Sequence, residues 1–570
     1  MIVGTSYPML KETGFRTLIE ALQAAPADRV FITHWVDEDE QKVVTFGEFR
    51  RLARIQARHL RRHNVSSGDK VVIIMPQSIA AMTAFAGAMM VGAVPAFLAY
   101  PNFKIEPAKY RSGLAGVTAS LNAKAVIIDE AFPDDMLEYV NCGRAPLLRA
   151  HASGDEDITG AAADPDGLAF IQHSAGTTGL QKGVALTHRV VLRHIEVLRQ
   201  ALQIRPESDR IYNWLPLYHD MGLIACFMLP MVCHIPVAIQ SPLEWVMHPD
   251  SMLQVISEHK STLAWLPNFA FQFVARRTPP ARCSQYDLSS MRAFINCSEP
   301  VRAASMDEFQ NAFGSTGLRQ GALQSSYAMA ENVFTVSQSD LRSESGPTRI
   351  LADTATFRSE HRVVRACPGF PAMCFLSSGS LLSGNEVRVV ADSGTILGEA
   401  EVGEIAIRSE TLFNGYYNRP DLTTKAIVDG WYHTGDLGFT LGSELFVVGR
   451  KKDLLIVGGE NLYPQDIEEV ISTHPAIHDG RAVAVGVYNP DLGTEDVVVI
   501  AEVEDENMLR DSGEIERKLR EQVIAGTGVA VKAVVLKPPK WSVKSTAGKP
   551  ARSATREKLL REHPELGVEP

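Results

Sequence analysis

Cysteine is scarce in this chain, seven among 570 residues, and no two form a C-x-x-C pair. So sparse and odd-numbered a set argues against a disulfide framework and predicts reduced thiols in a cytoplasmic setting. There is no tight His/Cys cluster of the kind that holds zinc. Positive charge is in deficit: 56 Lys and Arg face 67 Asp and Glu, a net charge of −11. Bulk electrostatics therefore argue against nucleic acid as a partner. The first residues, MIVGTSYPMLKETGF, lack the basic segment and apolar run of a secretory leader, and none is expected. Long apolar runs are missing as well. The most membrane-like stretch, Ala80 to Tyr100, is interrupted by Gly87, Gly92 and Pro95. It reads better as part of a βαβ unit: strand Val71–Met75, helix Ser78–Val91, strand Val94–Ala99. Integral membrane association is not expected.

What is present is ordinary globular material, 45% hydrophobic and 22% charged, ample for a large core. The length predicts roughly two to four domains, or one large domain with a smaller one. Strands and helices alternate early in the chain. A basic amphipathic helix, FGEFRRLARIQARHLRRH, follows Val43–Thr45, and its arginines read as a solvated face. The βαβ unit, a helix around Tyr110–Leu121 and a strand at Ala125–Ile128 come next. Such alternation predicts a parallel α/β sheet. Residues 337–373 carry mixed charge, several glycines and prolines and little periodicity, and read as an irregular excursion. Asn385–Val390 and Glu404–Arg408 read as strands of a β-rich subdomain, with glycine turns between.

The chemistry concentrates first in HSAGTTGLQKGVALTH, residues 173–188. Gly176, Gly179 and Gly183 let backbone N–H groups turn toward a bound anion. Ser174, Thr177 and Thr178 add hydroxyl donors, and Lys182 adds a mobile positive charge. The whole suits a loop that cradles phosphates. It is not a Walker A loop, because Gly183 stands where that pattern needs Ser or Thr after the lysine. An apolar strand, Leu168–Ile171, precedes it, and a helix is expected from Val184 to Leu198.

Weaker signals follow. Tyr218-His219-Asp220 ends a strand-like run and suits either a catalytic pair or a satisfied buried one. In GALQSSYAMAENVF, Tyr327 offers a flat ring for a base and Glu331 a hard oxygen for Mg²⁺. Asp436, in WYHTGDLGF, is expected in a glycine-bounded turn where its carboxylate meets ribose hydroxyls. Arg450, Lys451, Lys452 and Asp453 crowd between two apolar strands, which predicts a domain boundary and hinge. Beyond it lies a small α/β domain: helix 464–472, strands 482–487 and 496–502, helix 513–524, strand 532–536. The basic tail holds WSVKSTAGK, whose Lys549 is either solvated or delivered into a distant site.

Taken in order, these motifs resemble those of the adenylate-forming superfamily of acyl-CoA synthetases, luciferases and nonribosomal peptide adenylation domains. HSAGTTGLQKG is similar to its [ST]-[ST]-G-[ST]-T-G-x-P-K-G loop, and YAMAE to its Y-G-x-[TA]-E. YHTGD and GRKKDLLIVGGENLYPQDIE resemble its ribose and hinge motifs, and STAGKPAR its C-terminal lysine motif. Within the superfamily the chain is most similar to the fatty acyl-AMP ligases. WLPLYHDMGLI is close to that branch's form, Ala330 stands where many acyl-CoA ligases have Thr, and Glu331 and Gly384 lie 53 positions apart, room for that branch's insertion.

The resemblance implies an α/β fold. A large N-terminal domain, 1–449, would hold two α/β-layered subdomains plus a β-rich one, with the insertion within 337–373. A small mobile α/β domain, 450–570, would follow. It implies ATP and Mg²⁺ as cofactors, activation of a carboxylic, fatty acid to acyl-AMP, and an acyl carrier protein as acceptor. Ser174, Gly176, Thr177, Thr178, Gly179 and Lys182 would bind the phosphates. Ser326, Tyr327, Ala328 and Met329 would meet the adenine, and Asp436 and Arg450 the ribose. Thr178 and Glu331 would hold the metal, His219 would stand at the mouth of the acyl pocket, Lys452 would be the hinge, and Lys549 would reach the α-phosphate. The chain departs from the family pattern at Ala175, Gln181 and Ala328, and FLSSGSLLSGNEV lacks the usual prolines and cysteine. These departures mark a divergent subgroup. An acyl-CoA ligase and an adenylating enzyme for a cyclic or aromatic acid are the alternatives.

Overall fold

The computed structural model describes residues 2–4, 13–37, 40–101, 107–140, 146–150, 163–173, 182–457, 460–489, 494–544 and 550–566, with the backbone alone for 107–109 and 460. The βαβ unit forms from strand Lys70–Ile74, helix Ile79–Met90 and strand Val94–Phe97, with the two strands parallel. The Ser78 hydroxyl caps the helix by accepting from the Ala81 N–H at 3.2 Å. This helix is apolar on all sides because it is buried on all sides. Among the described residues no helix is long and apolar enough to cross a membrane. The basic helix, Phe46–Arg62, turns Phe49, Ala53, Ala57 and Leu60 inward and leaves Arg51, Arg54, Arg61 and Arg62 exposed.

Ala125–Ile128 and Leu147–Arg149 extend the βαβ strands into a four-stranded parallel sheet. A longer sheet runs in parallel through Val30–Trp35, Val237–Gln240, Ile211–Asn213, Leu263–Leu266, Ala293–Asn296 and Leu323–Ala328. Most of these are short unbroken apolar runs, as parallel strands covered on both faces must be. At Thr335–Gln338 the sense becomes antiparallel. The sheet continues through Ser380–Leu381, Glu444–Arg450, Trp431–Leu441, Gly403–Ser409 and Asn385–Val390. The antiparallel, β-rich part is therefore joined to the parallel part edge to edge, through the pairing of Leu323–Ala328 with Thr335–Gln338.

Two local expectations are corrected. The helix expected from Val184 starts at His188 and runs to Ala201, with Thr187 as its cap; Gly183–Thr187 is a strand antiparallel to Leu168–His173. A short apolar run fits strand or helix equally, and pairing with the neighbouring strand decides. The excursion at 337–373 is also more ordered than its composition suggests. Arg349–Asp353 pairs antiparallel with Ala372–Leu376 around a helix, Thr354–Glu360, capped by Asp353.

A smaller C-terminal region has its own core, in which Ile467, Ile471, Val499, Leu519 and Val523 are buried together. Its strands are Ile477–Asn489, Thr494–Val503 and Ala533–Lys537, and its helices Pro464–Ser472 and Ser512–Thr527. The tail closes with a further helix, Arg552–Glu562. Leu559 and Thr555 bury it, while the Trp541 ring lies between the Lys537 and Lys558 ammonium groups at 4.7 and 4.4 Å.

Candidate active site

The antiparallel pair Leu168–His173 and Gly183–Thr187 brackets the glycine-rich loop. Ser174, Gly176, Thr177, Thr178 and Gly179 lie outside the described residues. Lys182 is exposed at the loop's edge, its Nζ 4.7 Å from the centre of the Tyr416 ring. Tyr416 is laced to the strand beside it: Tyr417 N donates to Gly183 O at 2.7 Å, and Ala185 N to Gly415 O at 3.1 Å. The Tyr416 hydroxyl donates to Glu331 Oε1 at 2.7 Å and lies 3.2 Å from the Tyr432 hydroxyl. Burial, then the Glu331 charge, pushes the Tyr416 hydroxyl above its ordinary pKa, so it stays a donor.

Glu331 sits in a short 3-10 turn, Ala330–Asn332. The next residue, Val333, has φ 62° and ψ −56°, and Phe334 N closes the turn onto Asn332 O at 2.6 Å. A β-branched residue there costs about 1–3 kcal/mol and persists only where its surroundings over-determine it. Val333 is fully buried, and Met329 N donates to Phe334 O at 2.8 Å across the turn.

Tyr327 comes from the end of the strand Leu323–Ala328, and its hydroxyl donates to Asp436 Oδ2 at 2.6 Å. Arg450 Nε stands 3.5 Å from Asp436 Oδ1, and the two residues face each other across paired strands. Asp436 thus lies within the strand Trp431–Leu441, not in the expected turn; Gly435, at φ 71°, supplies the local bend. The Asp436 charge raises the Arg450 pKa, and burial followed by the same charge raises that of Tyr327. Ser326 Oγ is committed to Ser337 O at 3.0 Å. Ala328 marks a register shift in the strand pairing, and Met329 packs partly buried against the core.

His219 Nδ1 lies 2.7 Å from Asp220 Oδ1, and the Met221 N–H faces both, 2.8 Å from Asp220 Oδ1 and 3.4 Å from His219 Nδ1. Asp220 caps Met221–Met228, an apolar π-helix. A Cβ at Gly222 would collide with the carbonyl oxygens of Leu215 and Pro216, so only glycine lets this helix pack under the His219 loop. His219 lines a cavity of about 1190 Å³. One wall is aromatic: Trp214 stacks on Trp245 at 3.6 Å, and Phe269 stands edge-on to both. The cavity continues past Arg450 and Lys452 to Lys544 and Pro550. Those last two residues form a β-bridge; Lys549 lies outside the described residues.

Lys452 lies exposed in the 3-10 turn Lys451–Asp453. Arg552 reaches Asp453 Oδ2 at 3.2 Å and Glu468 Oε2 at 2.6 Å. Across the cavity's rim, Arg277 Nη2 meets Glu504 at 3.1 Å, Arg302 Nη1 meets Asp466 at 2.8 Å, and Arg276 meets Asp479. The sequence reading passed over Tyr416 and Tyr432. The signal for Tyr416 is NGYYNRP, an aromatic pair flanked by glycine and proline.

This geometry agrees with comparison to known proteins. The family model described as AMP-binding enzyme matches residues 19–417, and the chain belongs to that family. It is an ATP-using, acyl-adenylate-forming ligase. The fadD21 protein of Mycobacterium leprae, named provisionally as a fatty-acid–CoA ligase, is 30% identical over 553 residues, covering 92% of this chain and 93% of its own. JamA of Moorena producens, named a medium-chain-fatty-acid–[acyl-carrier-protein] ligase, is 29% identical over 580 residues, covering 96% and 95%. A solved structure from studies of fatty acyl-adenylate ligases of E. coli and L. pneumophila superposes with a TM-score of 0.89 at 26% identity, covering 98% of this chain and 100% of the other.

Proposed function

We propose that the enzyme activates a fatty acid with ATP and passes the acyl group to the phosphopantetheine thiol of an acyl carrier protein. The observation that carries this reading is the shared cavity. An aromatic wall at Trp214 and Phe269 shares its cavity with Arg450, the partner of Asp436, and with Lys544 and Pro550, which flank residues 545–549 in sequence. In the first step a carboxylate oxygen bonds to the α-phosphorus, the bond to the bridging β-oxygen breaks, and pyrophosphate leaves. Two anions must meet, so the residues act by positioning and by offsetting charge.

Asp436 and Arg450 hold the ribose and Tyr327 packs on the adenine. Ser174, Thr177, Thr178 and Lys182 hold the outer phosphates. His219 stands where the carboxylate enters, and Lys549 bridges the carboxylate and the α-phosphate. Among the described residues no cluster of three or more His, Cys, Asp or Glu could hold a metal. The lone Glu331 carboxylate, backed by Tyr416, nonetheless suits Mg²⁺, which keeps most of its shell as water and phosphate oxygen. With the Thr178 hydroxyl it would hold that ion, whose charge offsets the triphosphate's. Tyr416→Phe should leave Glu331 without its donor and lower acid-dependent ATP–pyrophosphate exchange about tenfold, recovering in part at raised Mg²⁺.

The acceptor preference rests on the ordered segment within 349–376. Its Phe357 ring lies 5.7 Å from the ring of Tyr463, and the two share a buried cluster with Ile350, Phe375, Phe439 and Phe446. Arg358 Nη1 donates to Thr527 O at 2.5 Å. These contacts tie the insertion to chain on the far side of Lys452, where we place the hinge between domains 1–449 and 450–570. Held so, the C-terminal domain resists the rotation that CoA transfer needs. The test supplies ATP, Mg²⁺ and fatty acids with either CoA or holo carrier protein. Acyl-AMP that persists with CoA and discharges onto carrier protein supports the reading; efficient acyl-CoA formation overturns it. In the same assay the double variant Phe357→Ala/Arg358→Ala should gain acyl-CoA formation while acyl-AMP formation stays within about twofold.

A further inference from the structure

We infer that Phe273 sets the length of acyl chain that the cavity admits, an inference that rests on the reading of this cavity as the acyl site. Four rings make its aromatic wall, and they differ in freedom. Trp214 and Trp245 are both buried in the main core and stack face to face, with 8° between their planes. A pair packed at core density does not yield to a guest. Phe269 and Phe273 are only half-buried, and both line the cavity. They stand four positions apart on the helix Asn268–Arg277, so Phe273 lies about 6 Å beyond Phe269 on the same face. The helix itself is fixed. Its Ala270, Phe271 and Val274 are buried. Phe269 N donates to Glu299 Oε2 at 3.1 Å, and Asn268 Oδ1 accepts from Arg302 N at 3.0 Å and from Asn296 Nδ2 at 2.9 Å. What remains free to set the shape of this wall is the Phe273 side chain.

Phe273 is also where the apolar wall ends. On one side its ring stands 5.5 Å from that of Trp245, at 51°. On the other, the Arg277 guanidinium lies 5.9 Å from its centre. Arg276 and Arg277, on the next turn, are the cations that meet Asp479 and Glu504. With its carboxylate at His219, a fatty chain running along Trp214, Trp245 and Phe269 gains from each methylene it buries. Past Phe273 that gain stops, because further methylenes would desolvate arginines already engaged in ion pairs. The ring therefore stands at the boundary between lining that favours a longer chain and lining that opposes it.

The test is ATP–pyrophosphate exchange by the full-length protein with a ladder of saturated straight-chain acids, read as kcat/KM against chain length. Phe273→Ala opens the end of the wall. An acid about two carbons longer than the parental optimum should then gain at least about tenfold relative to that optimum, the lower end of what one methylene is worth in a hydrophobic pocket. Phe273→Trp should move the profile the other way, toward shorter acids. Opposite shifts from one position do not arise from a folding defect, which lowers every acid alike. KM for ATP should stay within about twofold in both variants, because the ring touches the acid and not the nucleotide. A length profile unchanged in both variants, or an equal fall for every acid, overturns the role of Phe273 and leaves the acyl site standing. A parent protein that exchanges with no straight-chain acid at any length overturns the fatty-acid reading itself, and this inference with it.

Discussion

Lys549→Ala is expected to slow acyl-AMP formation by about 10²–10³-fold, the loss seen when one oxyanion donor is removed from a preorganised site. The argument is electrostatic. Carboxylate and triphosphate repel, and in a cavity walled by Trp214, Trp245 and Phe269 water cannot screen that repulsion well. A cation between the carboxylate and the α-phosphate acts on the charge that develops there. Burst-phase acyl-AMP formation measured directly is the check. Discharge of supplied acyl-AMP onto carrier protein should be unchanged, because that step does not use this lysine. A variant with parental adenylation would remove Lys549 from the mechanism.

Asp436→Ala should raise KM for ATP about 10²-fold. The carboxylate is the acceptor for the Tyr327 hydroxyl at 2.6 Å and the partner of Arg450 at 3.5 Å. Hydrogen bonds to a charged group are worth about 1.5–3 kcal/mol each, and the variant removes the carboxylate from both contacts. Asp436→Asn, which keeps shape and one acceptor, should lose less. Equilibrium binding of ATP by calorimetry distinguishes this from a folding defect, since a merely unfolded fraction lowers the number of sites and leaves Kd alone. An unchanged Kd in the alanine variant would show that the ribose lies elsewhere.

Much of this site was legible in the residues because its motifs are local. Lys182, Glu331, Asp436 and Arg450 each stand in short glycine- or charge-marked stretches whose chemistry is written along the chain. What could not be read is what comes together across it. Tyr416 reaches Glu331 over a separation of 85 positions, and Phe357 reaches Tyr463 over more than a hundred. No periodicity reports such contacts. The helix expected at Val184 failed for the same reason, since its partner strand lies on the far side of the loop. The segment at 337–373 looked irregular because its strands are short, its helix has seven residues, and Gly346 and Pro347 precede the first strand while Pro368 precedes the second. The smaller C-terminal region was easier. Its helices and strands are long and strongly patterned, and the expected helix 464–472 is found at Pro464–Ser472.

The arginines at the cavity's rim carry a kinetic consequence. Arg276, Arg277 and Arg302 lie on the larger region, and their partners Asp479, Glu504 and Asp466 on the smaller one. Three cations facing three anions, one of them, Arg276, also paired with Glu308 on its own side, behave like a charged capacitor, whose plates are hardest to part at low ionic strength. Arg277 and Glu504 are half exposed, within reach of mobile ions. Across the range in which the Debye length shrinks from about 30 to about 8 Å, added salt therefore speeds any step in which the two faces separate, while leaving bond-making inside the cavity untouched.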